Sequence, residues 1–225
     1  MGPNRKKIVL LDLDGTLLSA SWLFPLVCIF FLWRRLAPLF GYARALKIGR
    51  ELMTRMTSNS PASGLTNYEL ILSEATRLAG VSPHELHKQL SIYYERDFPR
   101  LGRFTYPTPG AARALRSMRE AGLPLVIATN PIWPLSCVEH RLRWAGLEPR
   151  EFAFITHSQI MRSCKPSLEY YRECLNYLAA KPDDVLFFGN DERKDGPARE
   201  LGIETIILDS KGWRAETLPA WMTAR

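Results

Sequence analysis

The chain has 225 residues, of which 46% are hydrophobic and 24% charged, the composition of an ordinary soluble globular protein. This length excludes a chain too short to bury a core, and allows one large α/β domain with or without a smaller inserted domain. Lys and Arg outnumber Asp and Glu by 30 to 23. That surplus suits anionic partners such as phosphate esters, nucleic acid or an anionic membrane surface, and does not choose among them.

The cysteines indicate a cellular compartment. They show neither a CxxC pair nor the spacing of metal ligands, and no part of the sequence resembles a signal peptide. We therefore expect free thiols in a reducing compartment and a cytoplasmic protein. The four cysteines are Cys28, Cys137, Cys164 and Cys174.

The first predicted strand ends in two carboxylates. Residues 8–11 are continuously apolar, as in a parallel strand buried on both faces. Asp12 and Asp14 point the same way at its end, where Gly15 permits a sharp turn. Thr16 adds a hydroxyl beside them. Two carboxylates this close repel each other, so the arrangement favours a bound cation or a shared proton. The alternative is a simple Asp-Gly turn in which Asp14 caps the following segment.

A long apolar run follows. Residues 22–33 contain only one residue, Pro25, that is not strongly apolar, and residues 34–56 then carry six basic side chains against a single acid, Glu51. The run is shorter than the roughly 20 residues that span a bilayer. We expect a buried helix of a cap domain followed by a solvated basic helix. The alternative is a segment that lies on an anionic membrane surface.

Two further helices are predicted before the chain returns to the sheet. Residues 57–64 are small and polar, as in a loop, and residues 67–78 carry apolar side chains at helical spacing. Ser82 is a predicted N-cap for a helix that continues toward Arg96. The segment 17–106 is therefore predicted to be an all-helical insert.

The remainder of the chain alternates between helices and strands. Predicted helices span residues 111–121, 134–144, 167–180 and 198–201. Predicted strands span residues 123–128, 152–156, 185–188 and 205–208. This alternation predicts βαβ units, and hence an α/β fold with a doubly wound parallel sheet of about five strands covered by helices on both faces.

Polar side chains follow these strands at their carboxyl ends. They are Asp12 and Asp14 after the first strand, Thr129 and Asn130 after the second, Lys165 after the third, and Asp191 and Asp195 after the fourth. Each alone has an alternative interpretation: a turn for Thr129 and Asn130, the entry to a helix for Lys165, and an acidic loop for Asp191 and Asp195. Because ligands of parallel sheets bind at this edge, their coincidence predicts one polar site.

These residues resemble the motifs of the haloacid dehalogenase-like superfamily. Asp12-Leu13-Asp14-Gly15-Thr16 is similar to motif I, Ala128-Thr129-Asn130 to motif II, Lys165-Pro166 to motif III, and Gly189-Asn190-Asp191 with Asp195 to motif IV. The resemblance implies a Rossmann-like core formed by residues 1–16 and 107–225. It also implies that residues 17–106 form a helical C1-type cap.

The resemblance also implies roles for the site residues. Asp12 would be the nucleophile that forms an aspartyl-phosphate, and Asp14 the general acid and base. Thr129 and Lys165 would bind the transferring phosphoryl group, with Thr16 and Asn130 as further phosphate-binding residues.

A magnesium ion is implied at the same place. The Asp12 carboxylate, the Asp14 carbonyl and Asp191 would hold Mg²⁺, with Asp195 in a supporting role. Asn190 departs from the family pattern, because many members have Asp directly after the glycine.

The sequence thus predicts a Mg²⁺-dependent phosphatase that acts on a small phosphorylated metabolite. A lipid-phosphate phosphatase at a membrane surface is one alternative, and a binding protein that has lost activity is another. Asp14 argues against dehalogenation, since the dehalogenases of this superfamily lack that acid, and no phosphomutase signature is present. No nucleic-acid partner is expected. The substrate, the oligomeric state and the orientation of Arg50, Arg55, Tyr68 and Tyr94 stay open.

Overall fold

A computed structural model describes residues 7–58 and 64–219. Five parallel strands form the main sheet in the order β5-β4-β1-β6-β7. Their bounds are β1 Ile8–Leu11, β4 Leu125–Ile127, β5 Phe154–Ile155, β6 Val185–Gly189 and β7 Glu204–Ile207. The predicted α/β class and parallel sheet are confirmed.

Helices cover both faces of this sheet. They are α5 Ala111–Glu120, α6 Leu135–Trp144, α7 Leu168–Tyr177 and the short α8 Glu192–Asp195. Alternate residues of β1 point to opposite faces, so Val9 and Leu11 belong to one buried cluster and Leu10 to another. These two clusters explain why β1 is apolar at every position.

The segment between the first two sheet strands in the chain is mainly helical. Its helices are α1 Leu23–Phe40, α2 Tyr42–Thr57, α3 Asn67–Ala79 and α4 Pro83–Ile92, followed by a π-helical turn Tyr93–Asp97 and a 3-10 helix Phe98–Phe104. A capping box between Thr66 and Glu69 starts α3, and Ser82 caps α4. This helical insert has its own apolar core, which includes Leu86, Phe98 and Leu101.

The prediction of an all-helical insert is wrong at its two ends. β2 Leu18–Ala20 and β3 Thr105–Pro107 pair as an antiparallel ribbon where the insert leaves and rejoins the sheet domain. Strands of three residues are too short for an alternating pattern to show in the sequence, and each is stabilised by a partner far along the chain.

The prediction for the apolar run is also partly wrong. α1 continues through Arg34 and Arg35 instead of ending before them, and one of its faces is open to solvent. Trp22 is 78% exposed, and Leu26, Ile29 and Phe30 are each more than half exposed. The opposite face packs into the core of the insert. By length and mean hydropathy, 1.7 over 18 residues, α1 is the one described helix that could cross a membrane, a test that core helices and signal sequences also pass.

Smaller differences concern element boundaries. β5 has two residues instead of the predicted five, and α8 occupies part of a predicted loop. The helix predicted toward Arg96 is α-helical to Ile92 and continues as the π-helical turn Tyr93–Asp97. The predicted helix 198–201 is a 3-10 helix, Gly196–Leu201. Most of the predicted loop 57–64 lies outside the described residues.

Candidate functional site

Asp12 and Asp14 lie where β1 ends. The chain turns back at once, because the amide of Gly15 donates to the carbonyl of Leu18 over 2.7 Å. Gly15 has φ +81°, and a Cβ there would overlap the side chain of Asn190. Only glycine suits both requirements, so this turn brings Asn190 against the two aspartates.

Lys165 is the buried cation of the site. Its Nζ donates to Asp12 Oδ1 and to Asp195 Oδ1, both over 2.8 Å. All three side chains are nearly inaccessible, and the rings of Tyr170 and Phe187 lie within 5.7 Å and 4.9 Å of Nζ. This burial strengthens the electrostatic interactions within the group.

The charges of this group are not balanced. Burial raises the pKa of Asp12 to about 6, although Lys165 opposes this shift. Burial acts to lower the pKa of Lys165, but the two carboxylates outweigh it and hold that pKa above its ordinary value. One lysine thus serves two carboxylates, Asp12 and Asp195. A second cation near Asp12 would complete the balance.

Arg141, which the sequence analysis did not identify, completes the polar group. Its guanidinium is buried, donates to Asp14 Oδ2 and lies 3.3 Å from Thr129 Oγ1. Arg141 stands on the inner face of α6 beside Val138 and Leu142, at a position where helical spacing calls for an apolar residue. That interruption of the apolar pattern was the available signal.

The predicted phosphate-binding residues are placed unequally. Thr129 is buried, and its carbonyl accepts hydrogen bonds from Thr156 and Tyr170. Asn130 accepts a hydrogen bond from the amide of Lys165 and so links two loops of the site. Thr16 is inaccessible to solvent, and its hydroxyl lies 3.4 Å from Asp12 Oδ2.

The residues after β6 separate into two groups. Asp191 caps α8, accepting from the amides of Arg193 and Lys194, and Asp195 accepts from the amides of Asn190 and Asp191 while holding Lys165. The amide group of Asn190 faces the first two aspartates instead. In one orientation its Nδ2 donates to the Asp14 carbonyl over 2.9 Å and to Asp12 Oδ2 over 3.3 Å.

The opposite orientation of Asn190 would place three oxygens together, namely an amide, a carbonyl and a carboxylate oxygen. Oxygens in adjacent positions around an octahedral Mg²⁺ are about 3.0 Å apart, because each lies about 2.1 Å from the ion. The spacing and chemistry of these donors therefore fit a magnesium ion. Within the described residues no cluster of three or more His, Cys, Asp or Glu forms a metal site. A ligand set of one carboxylate, a carbonyl and an amide is not a cluster of that kind.

A family model of haloacid dehalogenase-like hydrolases matches residues 6–200. The chain belongs to this family. The predicted resemblance is thus confirmed, and with it the prediction that the chain is an enzyme. No curated protein matches the chain.

Solved structures of haloacid dehalogenase-like proteins share the fold. A predicted phosphoglycolate phosphatase from Haemophilus somnus is 18% identical, with 98% of this chain and 94% of that chain covered and a TM-score of 0.56. CbbY from Rhodobacter sphaeroides in complex with phosphate is 22% identical, with coverages of 91% and 86% and a TM-score of 0.59. L-2-haloacid dehalogenase from Xanthobacter autotrophicus is 18% identical, with coverages of 90% and 77% and a TM-score of 0.54. At these identities the likeness concerns the fold alone.

In this hydrolase the helical insert forms hydrogen bonds directly with the loops of the site. The buried side chain of Asn67, at the start of α3, donates to the carbonyls of Pro131 and Ser163 and to the sulfur of Cys164. These acceptors lie beside Asn130 and Lys165. One residue of the insert therefore contacts the loops after both β4 and β5.

The four insert residues whose orientation was open lie in different places. Arg50 and Tyr94 line a cavity among the helices of the insert. Arg55 pairs with Glu51 and Glu74, and the Tyr68 hydroxyl lies 3.0 Å from His87 Nδ1.

Proposed function

We propose that this hydrolase is a Mg²⁺-dependent phosphomonoesterase that works through an aspartyl-phosphate on Asp12. The observation that carries the proposal is the contact of buried Lys165 with Asp12 and Asp195. A carboxylate buried without a cation would take up a proton and lose its nucleophilicity. Lys165 supplies that cation and also provides positive charge for the phosphoryl group.

The reaction would proceed in two displacements. Asp12 attacks phosphorus and forms a carboxyl-phosphate bond while the ester oxygen departs with a proton from Asp14. Asp14 then takes a proton from water, whose oxygen attacks phosphorus and breaks the bond to Asp12. Inorganic phosphate leaves, and both aspartates return to their starting states.

The surrounding residues would bind and position the reacting groups. Lys165 and Thr129 contact the phosphoryl oxygens, and Arg141 orients the carboxylate of Asp14. Arg141 Nη1 is buried and has no hydrogen-bond partner among the described residues. In this proposal Thr16 acts on Asp12, and Asn130 positions Lys165; both roles are less direct than phosphate binding.

Magnesium would be held by Asp12, the Asp14 carbonyl and Asn190. When bound, the ion would supply positive charge that favours attack on the phosphoryl group. Asp191, which the resemblance to motif IV implies as a ligand, is the alternative, although its carboxylate caps α8 and lies 3.3 Å from the Lys194 ammonium group. The Asn190 side chain lies beside the Asp14 carbonyl and Asp12 Oδ2, which supports its assignment as a magnesium ligand.

The domain division predicted from the sequence is retained in this proposal. Residues 17–106 act as a C1-type cap over a core of residues 1–16 and 107–225. The hydrogen bonds of Asn67 support this role, because they join the cap to the loops that carry Asn130 and Lys165. A cytoplasmic location likewise stays a prediction.

Turnover of p-nitrophenyl phosphate with Mg²⁺, and its loss on chelation with EDTA, tests the proposed reaction. Release of halide from a 2-haloacid is the matched assay for the other chemistry of the family. We expect phosphate release alone. Halide release without phosphatase activity would overturn the proposal, and absence of both activities would favour a binding protein.

A specific observation favours a second candidate, a lipid-phosphate phosphatase at a membrane surface. Leu26, Ile29 and Phe30 form an exposed apolar stripe on α1, exposed Trp22 stands just before this helix, and the next helix, α2, carries Arg44 and Lys47. Apolar and basic groups side by side suit an anionic membrane. Sedimentation with phosphatidylglycerol vesicles at low salt, reversed at high salt, would support this candidate, and no sedimentation would exclude it.

A further inference from the structure

The helical insert contains a cavity of about 440 Å³. Side chains from α1 to α4 line it, and nearly all are aliphatic or aromatic, with Arg50 the charged member. This volume lies within the range of small-molecule pockets, about 300–1,000 Å³. It is about three times the volume of an engineered apolar cavity of about 150 Å³ that binds benzene.

The loop that follows β4 at the candidate active site lines part of the cavity. Ile132 and Trp133 line the cavity. They lie in the loop after β4 that also carries Thr129 and Asn130. The Trp133 ring packs at 5.2 Å from the ring of Phe98, in the core of the insert. The same short loop therefore contacts both the polar site and the apolar cavity.

Two of the residues that line the cavity are exposed at the surface. They are Ile29 and Leu46, which are 55% and 57% exposed. Ile29 belongs to the exposed stripe of α1 that also contains Leu26 and Phe30. An apolar group bound in the cavity would therefore contact side chains of the active-site loop and of the exposed part of α1, and nearly all of the side chains around it would be apolar.

We infer that the cavity binds the hydrocarbon chain of an aliphatic phosphate monoester whose phosphate lies at Asp12. This inference rests on the proposed function, since it concerns another part of the same substrate. A sugar phosphate or nucleotide would bury hydroxyl or amide groups against side chains that offer few hydrogen bonds, which is unfavourable. A hydrocarbon chain has no such groups, and its burial is favourable in proportion to its length.

Gly49 offers a way to block the cavity. It lines the cavity from α2, and a Cβ added there meets no atom within 4 Å. Gly49→Phe should fill part of the space without a backbone clash. Gly49→Ala is the matched control, because it keeps the cavity open and also favours the helix. Ala45→Leu, one turn earlier, is a second blocking variant in case Gly49→Phe does not fold.

The experiment measures the affinity of ethyl, butyl, hexyl, octyl and decyl phosphate by titration calorimetry with the Asp12→Asn variant, below their micellar concentrations. Full burial of one methylene strengthens binding by about fourfold. We expect the Kd to fall by about two- to fourfold per methylene until the cavity is full. The blocking variants should weaken octyl and decyl phosphate binding while leaving ethyl phosphate binding near the control value.

A Kd that does not depend on chain length, or a dependence that both blocking variants retain, would overturn the inference. Hydrolysis of p-nitrophenyl phosphate by the wild type is read separately, so loss of the proposed reaction is distinguishable from loss of the chain site. Hydrolysis of decyl phosphate free in solution and in phosphatidylcholine vesicles distinguishes a dissolved amphiphile from a membrane lipid as the source. Faster hydrolysis than ethyl phosphate in either form supports the inference, and equal or slower rates in both contradict it.

Discussion

Arg141 holds Asp14 from the protein side of the site: its guanidinium is 2% exposed, whereas the side chain of Asp14 that it contacts is 64% exposed. The cation is fixed in the core by α6, and the carboxylate is the part that substrate can approach. A general acid must lie within hydrogen-bond reach of the group that it protonates. The pair therefore sets the direction of Asp14 without using its outward oxygen.

Replacement of Arg141 should mainly affect catalysis. We expect Arg141→Gln to lower kcat by about 10- to 100-fold, because Asp14 loses the contact that orients it and positioned acid catalysis contributes about 10²- to 10⁴-fold. Steady-state kinetics with an alkyl phosphate and Mg²⁺ checks this. Arg143→Gln is the matched control, since Arg143 lies on the same helix but is exposed and pairs with Glu139. Equal losses in the two variants would argue against a specific role.

A double-mutant cycle tests whether Arg141 acts through Asp14. If it does, Asp14→Asn combined with Arg141→Gln should lose little more activity than Asp14→Asn alone, because residues that act as a unit are not additive. Fully additive losses would separate the two roles.

The loss of activity in the Asp14→Asn variant should depend on the leaving group of the substrate. An alkyl alcohol needs a proton as it departs, whereas p-nitrophenolate does not, so the variant should lose more activity on the alkyl phosphate. The ratio of kcat/KM for the two substrates, compared with wild type, is the measurement. Equal losses would mean that Asp14 acts through position or metal binding instead.

Asn190 and Asp191 can be distinguished by magnesium affinity. We expect Asn190→Ala to weaken the apparent Mg²⁺ affinity by about tenfold or more and Asn190→Asp to strengthen it, because a carboxylate is a stronger ligand for this ion. Asp191→Asn should change the affinity little. Calorimetric titration with Mg²⁺ measures this directly. The reverse order would assign the ligand role to Asp191.

The exposed face of α1 should tolerate a charged substitution with little loss of stability. Phe30 is 52% exposed, so Phe30→Asp should change the free energy of unfolding by only about 0.5 kcal/mol. Phe98→Ala, at a fully buried position, should cost about 3–5 kcal/mol. Urea denaturation compares the two. A loss of several kcal/mol for Phe30→Asp would mean that Phe30 is buried in the core of the insert, as the sequence analysis predicted.

The sheet and its polar edge were predictable from local patterns. Ile8 to Leu11 is apolar because β1 is central and buried on both faces, and parallel strands bring their carboxyl ends to one edge. Asp12, Lys165 and Asp195 could thus be expected near one another before any coordinates were known. Their contacts depend on side-chain geometry that a motif does not specify.

Features that depend on distant partners were not predictable in the same way. β2 and β3 pair with each other although the whole insert separates them in the sequence. The burial of Arg141 is explained by its hydrogen bond to Asp14, 127 residues away. The two faces of α1 are equally apolar in sequence, so periodicity gave no sign that Phe30 is exposed and Cys28 buried. Which face is covered depends on how α2, α4 and the 3-10 helix Phe98–Phe104 pack against α1.

The most direct test of the central claim is the turnover of Asp12→Asn with Mg²⁺. The amide matches the carboxylate in size but cannot form the carboxyl-phosphate bond, so p-nitrophenyl phosphate hydrolysis should fall by at least about 10⁴-fold. Circular dichroism and thermal unfolding should show an intact fold, and beryllofluoride should inhibit the wild type as an analogue of the phosphorylated aspartate. A folded Asp12→Asn variant that keeps a large share of wild-type activity would contradict the covalent mechanism.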